Sequence, residues 1–146
     1  MIPTFVTGRP TGQETGKYLA LDLGGTYLRV CEVSLHGNRD FAIHQQKYKV
    51  PGPLKLGEMI HLCDFIAECV NKFLNEHGHD VDPNAPLQLG FTFSFPVLQT
   101  AINRGVLKQW TKGFSCKNAV DEDVVVMLQE AFSRNKVPVN IAAVCV

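Results

Sequence analysis

The sequence has no excess charge of either sign, no long apolar run and no basic cluster. Its 14 Lys and Arg residues balance 14 Asp and Glu residues, so it lacks the electrostatic signature of a nucleic-acid-binding protein. No apolar run approaches the roughly 18 residues that a membrane-spanning helix needs. Residues 1–16 contain no apolar core and do not match a signal peptide. We therefore expect neither nucleic acid nor a membrane as a partner.

The cysteines also lack a pairing pattern. There are five of them, an odd number, and no C-x-x-C spacing occurs. Most fall inside segments with a strand or helix pattern, which favours buried, reduced thiols over a disulfide framework. The sequence therefore predicts a cytoplasmic protein. The cysteines are Cys31, Cys63, Cys69, Cys116 and Cys145.

The composition fits one folded domain. Of the 146 residues, 45% are hydrophobic, which is enough for one ordinary core. Residues 1–17 have the pattern of an extended lead-in, and residues 18–146 form the predicted domain. No internal repeat and no low-complexity segment interrupts it.

Three antiparallel strands are predicted in the first third of the chain. A short apolar run at residues 18–21 ends at Asp22 and is followed by a Gly-Gly turn. Residues 26–35 and 41–50 then have strand patterns, with turn residues between them. The Pro-Gly-Pro sequence at 51–53 ends the third strand.

The rest of the chain alternates between helix and strand patterns. Apolar residues recur at helical spacing over 56–74, and period-two alternation over 87–95 predicts a strand. A turn-rich stretch that could hold a small hairpin comes next. A second helix begins at the acids 121–123 and runs to about residue 135, and residues 139–146 form a last strand. The predicted fold is α/β, with the order β-β-β-α-β-α-β and a mixed sheet.

The first candidate site is the turn between the first two strands. Gly24 and Gly25 would let backbone N–H groups approach an anion, and Thr26 adds a donor. Asp22 could orient a hydrated Mg²⁺ ion. An ordinary Gly-Gly hairpin beside a strand-end carboxylate would give the same pattern. The G-x-x-x-x-G-K-[ST] phosphate loop does not occur.

Two further candidates lie in the second half. Ser94 is at the carboxyl end of the alternating strand, on the face opposite its phenylalanines, and open α/β sheets bind ligands at that edge. Thr111 and Lys112, just before Gly113, offer a hydroxyl and an ammonium to sugar or phosphate oxygens. A solvent-facing serine and an exposed loop lysine are the alternatives.

Together, in their order and spacing, these motifs resemble the hexokinase family. Residues 21–26, Leu-Asp-Leu-Gly-Gly-Thr, resemble its first phosphate motif. Residues 89–96 and the Trp-Thr-Lys-Gly-Phe sequence at 110–114 resemble its sugar-binding signature. The lead-in is similar to the fungal branch of the family. The resemblance covers nearly the whole chain.

The resemblance implies a ribonuclease-H/actin-like ATPase fold and the transfer of the ATP γ-phosphoryl group, with Mg²⁺, to the 6-hydroxyl of a hexose such as glucose. It implies metal contact through water for Asp22, and a catalytic role for Lys112. The implied hexose contacts are Ser94, Phe95, Thr111 and Lys112. The implied contacts to the phosphates of ATP are Asp22, Gly24, Gly25, Thr26, Tyr27 and Arg29.

The chain departs from the family pattern at two points. Tyr27 stands where the family usually has Asn, so its ring must point away from the phosphate turn or reshape it. In the family, the catalytic Asp follows the strand that corresponds to residues 139–146. We therefore expect a longer protein with a second, larger lobe, and no phosphoryl transfer by these 146 residues alone.

Two other functions are compatible with the motifs to different degrees. One is a non-catalytic hexose-binding or regulatory protein derived from a hexokinase. The other is a different member of the actin-like ATPase superfamily, such as a chaperone-type ATPase, which the sugar signature disfavours.

Overall fold

A computed structural model describes residues 15–76 and 86–145. Most of the predicted lead-in lies outside these residues, and the first strand begins slightly earlier than predicted. The elements in chain order are β1 (Thr15–Leu23), β2 (Tyr27–Gly37), β3 (Asp40–Lys49), α1 (Gly52–Leu56), α2 (Met59–Glu76), β4 (Leu87–Phe93), β5 (Val97–Ala101), β6 (Arg104–Leu107), α3 (Val124–Arg134) and β7 (Val139–Cys145).

Five of the strands form one mixed sheet in the order β3-β2-β1-β4-β7. The first three strands pair antiparallel, and β4 pairs parallel with both β1 and β7. The predicted antiparallel meander and parallel crossovers are therefore confirmed. The predicted small hairpin is β5–β6, which forms a separate two-stranded sheet.

The first predicted helix corresponds to α2, and the short helix α1 before it was not predicted. Gly57 leaves the helical region with φ −91° and ψ −144°, so the short α1 ends there and α2 begins at Met59. The second predicted helix begins as expected. The Asp123 side chain caps α3 by accepting hydrogen bonds from the backbone N–H groups of Val125 and Val126, at 2.9 and 3.1 Å.

The core lies on one face of the five-stranded sheet. Leu21 of β1 is paired with Val30 of β2 and Phe91 of β4, and all three are buried. They belong to one apolar cluster that includes the buried sides of α2 and α3. Because side chains alternate along a strand, Asp22 and Arg29 are directed to the opposite face.

No helix within the described ranges is long and apolar enough to cross a bilayer.

Candidate functional site

The turn between β1 and β2 encloses one side of a cavity. The turn is closed by a 3.0 Å hydrogen bond from the Gly24 N–H to the Tyr27 carbonyl. The cavity has a volume of about 250 Å³. The structure thus brings together all six residues that the sequence predicted for phosphate and metal contact. Its lining residues are Asp22, Gly24, Gly25, Thr26, Tyr27 and Arg29.

A row of charged side chains crosses the sheet beside this cavity. Asp22 lies directly opposite Arg29, which in turn lies opposite Lys47 of β3. Directly opposite residues share a face of the sheet, so one carboxylate and two cations lie in a row on that face. The row carries a net positive charge and suits an anionic ligand. Lys47 was not among the residues predicted from the sequence.

The Tyr27 ring lies at the rim of the cavity. It is 47% exposed, and the Lys47 ammonium is 5.9 Å from its centroid. The residue is therefore half open to solvent while it lines the cavity, and the turn keeps its closing hydrogen bond.

The second region is a loop that we call the sugar loop, residues 110–114. Phe95, which follows β4, contacts both aromatic rings of the loop at centroid distances of 5.1 Å to Trp110 and 5.1 Å to Phe114. The Trp110 indole N–H donates to the Cys116 carbonyl at 2.9 Å, which satisfies its one polar group. These contacts hold the loop against the end of β4.

The backbone of the sugar loop turns sharply at Lys112 and Gly113. Their φ angles are 57° and 80°, and the Phe114 N–H donates to the Thr111 carbonyl at 3.1 Å. Glycine adopts such a φ without penalty, and lysine does so at some cost. The turn brings the Lys112 ammonium to 5.4 Å from the Phe95 ring centroid. Two residues predicted to contact the hexose are therefore close together.

The sugar loop and the turn at Gly24, Gly25 and Thr26, which we call the phosphate turn, are neighbours. A Cβ atom built on Gly25 would be 3.5 Å from the Cβ of Lys112. Ser94 is half-buried at the carboxyl end of β4, the strand that pairs with β1 just before the turn. Residues nearly 90 positions apart in the sequence thus border one site.

One residue of this site was missed by the sequence analysis. Lys55 of α1 is partly buried, and its ammonium donates a hydrogen bond to the Gly25 carbonyl. The same ammonium is 5.2 Å from the Phe114 ring centroid. It therefore contacts the phosphate turn and the sugar loop at once. No motif surrounds Lys55, so no sequence signal could have identified it.

The cavity offers one carboxylate to a metal ion. Among the described residues, no group of three or more His, Cys, Asp or Glu could hold a metal. Asp22 is the carboxylate that lines the cavity. Because Mg²⁺ usually keeps several of its waters, one carboxylate beside the predicted phosphate contacts is a suitable donor set.

A buried thiol lies beneath the sugar loop. Burial raises the pKa of Cys116 above its usual value, and its thiol donates to the Leu54 carbonyl at 3.1 Å. The group is therefore a neutral packing element and not a nucleophile.

Comparison with known proteins shows that the chain is similar to hexokinases over nearly its whole length. The family model described as Hexokinase matches residues 1–145. Hexokinase of Kluyveromyces lactis is 50% identical over 143 residues, and Hexokinase-2 of Candida albicans is 48% identical over 143 residues. Each alignment covers 98% of this chain but 29% of the relative. The chain therefore spans less than a third of the length of these relatives.

The solved structures agree with the sequence relatives. A glucose complex of hexokinase from Schistosoma mansoni superimposes with a TM-score of 0.90 at 38% identity, covering 99% of this chain and 32% of that one. Another hexokinase crystal structure also gives a TM-score of 0.90, at 33% identity. The predicted actin-like ATPase fold is thereby confirmed. This chain belongs to the hexokinase family.

Proposed function

We propose that the protein containing these residues transfers the γ-phosphoryl group of ATP to the 6-hydroxyl of a hexose, with glucose as the first candidate. The observation that carries the proposal is the contact between the two predicted binding regions. Lys112 of the sugar loop packs beside Gly25 of the phosphate turn. A sugar at one region and a polyphosphate at the other would therefore meet, as phosphoryl transfer requires.

The phosphate side of the site uses backbone and charge. The N–H groups of Gly25 and Thr26 would face the phosphate oxygens, since the Gly24 N–H is already bonded to the Tyr27 carbonyl, and Arg29 would neutralise part of their charge. Asp22 would hold Mg²⁺ through water, and a bound Mg²⁺ ion would supply further neutralisation of the phosphate oxygens. Tyr27 would lie at the edge of the bound nucleotide.

The sugar side uses polar groups on a rigid aromatic base. Ser94, Thr111 and Lys112 would hydrogen-bond to hexose hydroxyls, and the Lys112 ammonium alone offers three donors. Phe95 would support the sugar ring while it remains packed against Trp110. The resemblance places the general base just after β7. That strand pairs parallel with β4, so its carboxyl end is at the same edge of the sheet as Ser94.

The direct test is hexose-dependent ATP consumption by the longest chain that the gene encodes, with residues 1–146 alone expected to be inactive. In the active form, we expect Lys112→Ala to lower kcat/KM by about 10- to 150-fold, the equivalent of a lost charged hydrogen bond of about 1.5–3 kcal/mol.

Lys108→Ala is the matched control. This exposed lysine lies just before the sugar loop and pairs with Asp121 at 3.0 Å, so its loss should leave kcat/KM unchanged. The proposal is wrong if the longest chain consumes no ATP in the presence of any hexose. A kcat/KM for Lys112→Ala equal to that of Lys108→Ala would remove Lys112 from the site.

A non-catalytic hexose-binding or regulatory protein is the second candidate. It is supported by the fact that the sugar loop and its aromatic base are built entirely from residues within this chain. Saturable glucose binding without ATP consumption would favour this candidate over the first. For either function, we propose the cytoplasm as the compartment, because Cys63, Cys69 and Cys116 are buried free thiols.

A further inference from the structure

Lys55 is the one side chain in the described site whose charge contacts both predicted binding regions. We propose that Lys55 is a positioning residue that couples them, so that bound hexose strengthens the binding of Mg-nucleotide and bound nucleotide strengthens the binding of hexose. The inference rests on the proposed function, since it assigns a task to a residue within that same site.

The geometry fixes Lys55 from both sides. Its ammonium donates to the Gly25 carbonyl and lies 5.2 Å from the centroid of the Phe114 ring. Its backbone is held as well, because the Ser115 N–H donates to the Lys55 carbonyl at 2.7 Å. Lys55 is therefore attached to the residue just after the sugar loop by its backbone and to the phosphate turn by its side chain.

The hydrogen bond to Gly25 acts on a donor of the phosphate site. The Gly25 carbonyl and the Thr26 N–H belong to the same peptide group, and Thr26 lines the cavity. A positive charge on the carbonyl oxygen polarises that peptide group and makes its N–H a stronger donor to an anion. Lys55 itself is not among the residues that line the cavity, so it can strengthen anion binding without occupying ligand space.

The contacts to the sugar loop make this effect dependent on the hexose. A sugar bound by Thr111 and Lys112 would restrain the loop further than its aromatic contacts do, and with it Phe114 and the Ser115 N–H. Both groups contact Lys55, so its ammonium is then held more firmly on Gly25. Because linkage between two binding sites is reciprocal, a nucleotide that orders the turn strengthens sugar binding by the same factor.

The test is a pair of calorimetric titrations of the longest encoded chain with the Mg²⁺ complex of a non-hydrolysable ATP analogue, with and without saturating glucose. In wild type, we expect glucose to lower the nucleotide Kd by at least about fivefold, the lower end of ordinary coupling between sites. The coupling ratio is the nucleotide Kd without glucose divided by the nucleotide Kd with glucose. Lys55→Met keeps the alkyl chain over Phe114 but removes the ammonium, and we expect its coupling ratio to fall below about twofold. Lys55→Arg should restore it.

Lys72→Met is the matched control. It removes another lysine ammonium that lies over an aromatic ring, 5.9 Å from the Tyr48 centroid, on α2 and outside the site. It should retain the wild-type ratio. If circular dichroism shows that Lys55→Met does not fold, Lys55→Gln takes its place. We expect the same loss of coupling in Lys55→Gln.

The outcomes separate this inference from the proposed function. A wild type that binds neither glucose nor the nucleotide analogue overturns both. A wild type that binds the two ligands independently overturns the inference alone. So does a Lys55→Met protein with the wild-type ratio, or an equal loss of coupling in Lys55→Met and Lys72→Met, since that loss would be unspecific.

Discussion

Gln99 offers the sharpest test of how the site is held in the fold. It is a polar residue with only 7% of its surface exposed, and its side-chain amide donates to the Val144 carbonyl at 2.9 Å. A backbone hydrogen bond of 2.8 Å runs from the Val144 N–H to the Ile102 carbonyl. The β5–β6 hairpin is thus fastened to the carboxyl end of β7 through both polar groups of Val144.

The informative substitution is Gln99→Met, because methionine matches glutamine in length and removes only the amide. The Val144 carbonyl then loses this partner in a region that water does not reach, since Val144 is 1% exposed. Leaving a buried acceptor without its partner costs about 1–3 kcal/mol. We therefore expect the free energy of unfolding to fall by about that amount.

The measurement is urea unfolding followed by circular dichroism, with the midpoint compared at an unchanged m-value. Gln88→Met is the matched control, since Gln88 is an exposed glutamine on β4 that accepts a 3.0 Å hydrogen bond from Asn140 at the surface. Its effect should stay within about 0.5 kcal/mol. If Gln99→Met is no more destabilising than Gln88→Met, the buried amide does not fasten the hairpin to β7.

Two further predictions concern stability. Asp123→Ala should lower the free energy of unfolding by about 1 kcal/mol, because two N–H groups at the start of α3 lose their cap, and urea unfolding measures it. Burial raises the pKa of Cys63 from 9.0 to about 12, so the folded state keeps a proton that the unfolded state loses. The stabilising contribution of the protonated Cys63 thiol is full below about pH 9 and falls by about 1.4 kcal/mol per pH unit above that. We therefore expect the free energy of unfolding, measured in urea from pH 8 to 11, to decline less steeply in Cys63→Ala than in wild type.

The chain supplies a control for the first prediction and a shared background for the second. Glu122→Ala removes a neighbouring exposed acid, and an equal loss in Glu122→Ala and Asp123→Ala would contradict the capping role. Burial also raises the pKa of Cys69, to about 11, and this residue remains in both wild type and Cys63→Ala. Identical alkaline slopes in the two proteins would show that the Cys63 thiol does not carry the effect.

The strands, the helices and their order were predictable because each has a local pattern. Alternation over β4 put Phe91 and Phe93 on one face, and both are buried. The acids before α3 predicted its beginning, and Asp123 is its cap. The same local signals do not report backbone dihedral angles, so the break at Gly57 that separates α1 from α2 was not foreseen.

Two lysines beside the site, Lys47 and Lys55, could not be predicted, since their partners are distant in sequence. Lys47 lies beside the site because β2 pairs with β3 in a register that puts it opposite Arg29. Lys55 lies beside the site because the segment around α1 is hydrogen-bonded to the segment after the sugar loop. One of these bonds, of 2.8 Å, runs from the Lys117 N–H to the Gly57 carbonyl. The sequence shows a Pro-Gly-Pro turn followed by an ordinary lysine at this point.

The placement of the whole site follows from one feature of the sheet. In β1 and β4, which are parallel neighbours, Leu23 is paired with Phe93, so the segments that leave these strands must start side by side. One segment is the Gly-Gly turn and the other leads through Phe95 to the sugar loop. Parallel strands therefore bring the predicted phosphate motif and the predicted sugar motif to one edge, where open α/β sheets bind ligands. Since β7 ends at that edge too, Gln99, which holds the end of β7, would affect the geometry of the site without contacting a ligand.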